Sequence, residues 1–231
     1  MSKASFPSRL RRLVGSGNLE TRDYAFADFT KVEVSSAFRF EIRQSSSYNI
    51  SVTADDNIMD YVQVSLDGQT LKIGLRTDPR RSTVLSLGPV TLRASVVMPQ
   101  LRGLTVSGAS RGEISDFSST EDVSIKVSGA GKVNGDITAG NIEFDISGAS
   151  TIQLEGSAND MVASASGASR FNLNDFTVNS ARVRFSGASR GTINLNDRLD
   201  ADLSGVSRLS YIGEPKMGDI NTSGQSTVSR K

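Results

Sequence analysis

Neither cysteine nor histidine occurs in this chain of 231 residues. The first absence excludes disulfides and thiol nucleophiles. The second removes the imidazole base of serine hydrolases. Together they remove the Cys/His ligand sets of zinc sites. A bulk excess of one charge sign is also missing. With 26 basic and 25 acidic side chains the net charge is +1, so no dedicated nucleic-acid partner is expected. No apolar run approaches the ~18 residues that a membrane-spanning helix needs. The opening stretch MSKASFPSRLRRLVGSGN holds Arg9, Arg11 and Arg12 with no apolar segment behind them, and does not read as a signal peptide. Two locations stay open on that reading: the cytoplasm, or the envelope after removal of a leader.

What the chain has in abundance is one short phrase. Ser-Gly-Ala-Ser or a near variant begins at Ser107, Ser128, Ser147, Ser166, Ser186, Ser204 and Ser223, at steps of 21, 19, 19, 20, 18 and 19 residues. Helical repeats need periods of roughly 33 or more, and the leucine-rich signature is absent. The flanking residues read as strands. Val106, Val127, Ile146, Ala165, Phe185, Leu203 and Thr222 precede the motif, and alternating pairs such as Ile152/Leu154 and Phe171/Leu173 follow it. Alternation with period two marks half-buried strands. The remaining architecture is an all-β parallel β-helix with turns of ~19 residues.

In such a solenoid equivalent residues stack about 4.8 Å apart across parallel strands. Gly108, Gly129, Gly148, Gly167, Gly187, Gly205 and Gly224 then form a ladder at a bend where a Cβ would crowd or φ is positive. Ser107, Ser128, Ser147, Ser166, Ser186, Ser204 and Ser223 form a second ladder, able to pass hydroxyl hydrogen bonds from turn to turn. Both ladders are expected to be architecture, because no histidine is present to activate a serine.

Residues 1–17 are expected to be a flexible N-terminal segment. Residues 18–101 lack the motif but alternate as strands, and are expected to cap the repeat region 102–231 as part of one continuous domain. VSLDGQTLKIGL carries an Asp-Gly hairpin signal, ADDNIMDYV is the one plausible helical turn, and TDPRRSTVLSLGP reads as a polar loop. A solenoid needs such a cap because an open end exposes unpaired backbone.

The stretch GSGNLETRDYAFADFTKVEVSSAFRFEIRQSSSYNISVTADDNIMDYVQVSLDGQTLKIGL, followed by MPQLRGLTVSGAS and the SGAS turns, resembles the GIN domain family, the "putative auto-transporter adhesin head domain". The likeness spans roughly residues 15 to 230. It implies a right-handed parallel β-helix in proteins of the bacterial cell envelope or exterior. It supplies no catalytic residues and no cofactor.

Directly after the motif stand Arg111, Lys132, Thr151, Arg170, Arg190, Arg208 and Thr227. The five basic members would form a stripe suited to an acidic polysaccharide or anionic headgroups. The competing reading is a solvated face that keeps the sheet soluble. Acidic residues recur as well, at Asp116, Asp136, Glu155, Asp175, Asp197 and Glu214. Their turn contexts favour local backbone hydrogen bonding over a calcium cluster. The expectation is therefore a non-enzymatic scaffold displaying side-chain ladders to a glycan, an envelope protein or an anionic surface. A polysaccharide-processing enzyme and a sensory domain of an envelope-stress system are the alternatives. Self-association through the last turn of the solenoid is expected, since SGQS lies close to the end of the sequence.

Overall fold

The computed structural model describes residues 12–76 and 86–231. Most of the loop expected at TDPRRSTVLSLGP lies outside the described residues. The repeats form a parallel β-solenoid. A representative turn begins with the strand Val123–Val127, passes the corner at 128–131, and continues through Lys132–Thr138 before the next turn starts at Ile142–Ile146. Midway along the second strand Gly135 has φ 132°, and in the next turn Gly156 has φ 119°. Strands that precede the motif stack in register as one sheet, called sheet 1 here: Gly103–Val106, Val123–Val127, Ile142–Ile146 and Asp160–Ala165. Strands that follow it stack as sheet 2: Arg111–Ser118, Lys132–Thr138 and Thr151–Ser157. Further on, Arg170–Phe185 and Arg190–Leu203 each run unbroken from sheet 2 into sheet 1.

The motif makes the corner between the two sheets. All seven motif glycines have φ between 71° and 79°. Their carbonyls carry the stack: Ala149, Ala168 and Ala188 N–H donate to the Gly129, Gly148 and Gly167 oxygens at 2.7, 2.8 and 2.7 Å. The ladder between turns is thus mainly backbone. The buried serine is the motif's fourth residue, not its first. Ser150, Ser169, Ser189 and Ser207 donate their hydroxyls to the carbonyls of Ser147, Ser166, Ser186 and Ser204 within the same corner, at 2.8 to 2.9 Å. Turn-to-turn bonds from the first serines are long where they occur, as at Ser186 and Ser223, both 3.5 Å. The hydroxyl relay expected from the sequence gives way to a local brace, because the i−3 carbonyl lies closer than the neighbouring turn.

The stack starts before the first motif. VEVSSAFRFEI (32–42) aligns with LTVSGASRGEI (104–114), and Lys31–Val34 and Arg39–Gln44 pair in parallel with Gly103–Val106 and Arg111–Ser118. Ser36 occupies the glycine position with φ 76°. Among the described residues no other corner stacks beneath it, and its hydroxyl accepts the Leu75 N–H at 3.2 Å.

The described residues 45–76 and 86–102 are inserted between the first and second turns and pack at that end of the stack. Asn49–Asp55 runs antiparallel to both Leu92–Met98 and Leu19–Asp23. The hairpin Val62–Asp67/Thr70–Leu75 sets its second strand parallel to Lys31–Val34. The short helix is Asp56–Met59, where the sequence places it. Residues 12–17 lie against the cap. Arg12–Leu13 pairs with Ser86–Leu87. The buried Asp55 carboxylate accepts N–H bonds from Gly17 and Thr91 at 2.8 and 2.6 Å, and the Asn57 side chain bonds Ser16 and Val14. A buried carboxylate needs such partners, and it finds them by pinning the strap down.

Inside the solenoid the apolar rows fill the space between sheets. Phe144 packs edge-on against Phe171 and Phe176 with centroids 5.5 and 6.4 Å away, and Phe171 stacks on Phe185 at 5.6 Å. Small residues sit beside them: Ala163 is in register with Phe144, and Gly191 with Phe171. Burial weakens in the last turn, where Tyr211, Ile220 and Val228 are only partly covered.

Candidate functional site

On the outer face of sheet 2 the register brings the basic stripe into one column. Arg111 pairs with Lys132, Lys132 with Thr151, Thr151 with Arg170, Arg170 with Arg190, Arg190 with Arg208 and Arg208 with Thr227. Two members escape a reading by motif. Arg39 pairs with Arg111 from the unmarked first turn, and Arg93 pairs with Arg39 from the cap. The alignment of VEVSSAFR with LTVSGASR was the available signal for Arg39. Arg93 had none, because it arrives on an inserted strand.

The cations of the column are all exposed. None of the ion pairs among the described residues involves them. Sheet 1 behaves differently. Its outward column reads Glu33, Thr105, Lys126, Asp145, Ser164, Arg184, Asp202 and Asn221, in register strand by strand. There each cation has an anion as its neighbour. Like charges directly opposite each other on paired strands are destabilising. Sheet 1 avoids that arrangement and sheet 2 repeats it.

Beside the column, two residues further along each strand, runs a second outward row: Ser95, Glu41, Glu113 and Asn134, then Gln153, Asn172, Thr192 and Ser210. The two rows line a concavity of about 660 Å³ at the cap end of sheet 2. Phe40, Ala94 and Gly112, which lie between the two rows in sequence, also line it.

The recurrent acidic residues do not gather. Asp136 and Glu155 are in register, but the pairing shifts between Gln153 and Gly156, so the row does not continue as a column. Asp136 accepts the Asp116 N–H at 3.0 Å, which is turn bonding between neighbouring coils. Glu214 pairs with Arg230 at 3.0 Å. Among the described residues no group of three or more acidic side chains is placed to hold a metal ion.

One carboxylate on sheet 1 is strongly perturbed. Arg198 hydrogen-bonds both oxygens of Asp200, at 2.7 and 3.0 Å, and the Asp219 N–H adds a third bond at 2.9 Å. These bonds favour the charged form and lower the Asp200 carboxyl to about 2. Its folded value lies below the unfolded one, so its contribution to stability is present above about pH 4 and is lost as pH falls toward 2. A carboxyl-carbon NMR titration should place its midpoint near the low value. In Arg198→Gln the midpoint should rise toward the ordinary ~3.9. An unchanged midpoint would reject the guanidinium as the main cause.

Comparison with known proteins follows the same fold. A family model described as "Putative auto-transporter adhesin, head GIN domain" matches residues 28–215. A solved structure of a "putative adhesin" from Bacteroides fragilis NCTC 9343 is similar with a TM-score of 0.86 at 21% identity, covering 95% of this chain and 100% of that one. A "Putative lipid binding protein" from Parabacteroides distasonis ATCC 8503 gives 0.75 at 21%, covering 96% and 100%. A "putative adhesin" from Parabacteroides merdae ATCC 43184 gives 0.69 at 19%, covering 95% and 99%. No curated protein matches the chain. At these identities the solved structures share its fold.

Proposed function

The chain belongs to the head GIN domain family, and from that footing we propose that it is a non-enzymatic, adhesin-like module of the cell envelope or exterior that presents sheet 2 to an anionic partner. The observation that carries this reading is the uniform sign of the sheet 2 column beside the alternating signs of sheet 1. A column kept only for solubility would mix signs, as the sheet 1 column does. A column that keeps repelling charges in contact is what an anionic ligand would relieve.

Two other chemistries are less well supported. A glycoside hydrolase works through a pair of carboxyl groups on either side of the scissile bond. Glu41 and Glu113, the carboxylates nearest the column, stand side by side on paired strands of one open face. A lipid ligand, suggested by the name of one relative, would need an apolar cavity or an apolar surface. The solenoid interior is occupied by its own side chains, such as Phe144, Phe171 and Phe185.

Retention on an anionic matrix tests the reading. With a net charge of +1, bulk charge predicts almost no retention at pH 7. A clustered column predicts elution only at elevated salt, with a steep dependence on ionic strength as exposed charges are screened. Passage through the matrix at low salt would contradict the proposal.

A further inference from the structure

We propose that the cap-end half of the column is a binding trough for a linear acidic polysaccharide whose sugars carry carboxylates. This rests on the reading that sheet 2 meets an anionic partner, and specifies that partner. Four cations follow one another here without a gap: Arg93, Arg39, Arg111 and Lys132. With about 4.8 Å between strands they span roughly 14 Å along the solenoid axis. They form one wall of the concavity, and Glu41, Glu113 and Asn134 belong to the other. The walls are two residues apart along each strand, about 7 Å. A single polymer chain lying along the axis would touch both.

The two walls offer different chemistry. Guanidinium groups pair with carboxylates in a planar, bidentate way. The opposite wall offers acceptors. Glu41 and Glu113 are neighbours in register and take hydroxyl donors, Glu41 while ion-paired with Arg43 from its own strand. Asn134, next in the row, carries an amide that can both donate and accept. A sugar with a carboxylate on one edge and hydroxyls on the other matches both walls.

The same carboxylates disfavour other polyanions. A duplex or an anionic bilayer would press dense negative charge onto Glu41 and Glu113. Among the side chains lining the concavity, none is a large exposed hydrophobic that could enter a membrane. The distal half of the column lacks this filter. Arg170, Arg190 and Arg208 stand beside Asn172, Thr192 and Ser210, which are neutral.

Calorimetric titration with a galacturonic acid hexamer tests the trough, with dextran sulfate and phosphatidylcholine vesicles containing phosphatidylglycerol as comparison probes. The hexamer should bind the wild-type protein. Arg111→Gln should weaken it about tenfold, the loss of one charge-assisted contact, and Arg208→Gln by less than about twofold. The double variant Glu41→Gln/Glu113→Gln should bind the hexamer more weakly and dextran sulfate more tightly. A folding defect would lower both, so these opposite signs separate recognition from stability. If dextran sulfate or the vesicles bind and the hexamer does not, the trough proposal is overturned while the anionic-partner reading stands. If no probe binds, both fall. Equal losses for Arg111→Gln and Arg208→Gln would also overturn it.

Discussion

Gly167→Val is expected to destabilise the protein by about 3 kcal/mol or more, combining backbone strain with overpacking at one site. Gly167 has φ 76°, where a β-branched residue is strongly disfavoured. A Cβ there would also lie 2.5 Å from the Gly148 carbonyl oxygen. That oxygen accepts the Ala168 N–H at 2.8 Å, so relieving the clash stretches a bond of the inter-turn ladder. The disturbance passes on, because the Gly167 carbonyl accepts the Ala188 N–H of the following turn. Ser36 provides the internal comparison. It holds nearly the same φ with no corner among the described residues beneath it, so Ser36→Ala should lose little more than its hydroxyl bond to Leu75, about 1 kcal/mol. Urea unfolding of both variants checks this. Equal, small shifts in midpoint would show that corner stacking does not constrain the glycine.

Phe144→Ala should cost about 3 to 5 kcal/mol, the range for removing a large buried aromatic side chain. Phe144 is fully buried and makes edge contacts with Phe171 and Phe176. Its neighbours in register are Ile125 and Ala163. Alanine on one side cannot swing in to fill the space, and the strand ladders hold the backbone apart. The cavity therefore persists. A cost under about 1 kcal/mol in the same unfolding experiment would mean that the site collapses and that the core there is loosely packed.

The solenoid was legible because its information is local and repeated. The spacing of the glycines, the apolar residue before each motif and the alternation after it each report one turn, and their recurrence reports the stack. The GIN likeness rested on the same residues, and the family match over 28–215 agrees with it. The first turn was hidden by two substitutions, Ser36 at the glycine position and Phe38 at the position of the buried serine. Both are permitted by location. Ser36 has no corner among the described residues below it, and Phe38 joins the core while its carbonyl still accepts the Arg111 N–H at 2.9 Å. The strap at 14–17 was hidden because its anchors, Asp55 and Asn57, lie some forty residues away. The stripe members Arg111 to Arg208 could be named from spacing. Arg93 could not, because its place depends on an inserted strand whose register no repeat encodes. The contrast between the two sheets was equally hidden, since alternation of sign down sheet 1 exists only across strands.

A matched pair of charge reversals tests the central claim. Arg170→Glu/Arg190→Glu changes sheet 2, in the half of the column without neighbouring carboxylates, and Arg182→Glu/Arg184→Glu changes sheet 1, with the same change in net charge. Affinity for dextran sulfate is measured for each at several salt concentrations. If sheet 2 is the binding face, the first pair abolishes salt-sensitive binding and the second leaves most of it intact. Equal losses from the two pairs would show that only overall charge matters, and would contradict the account.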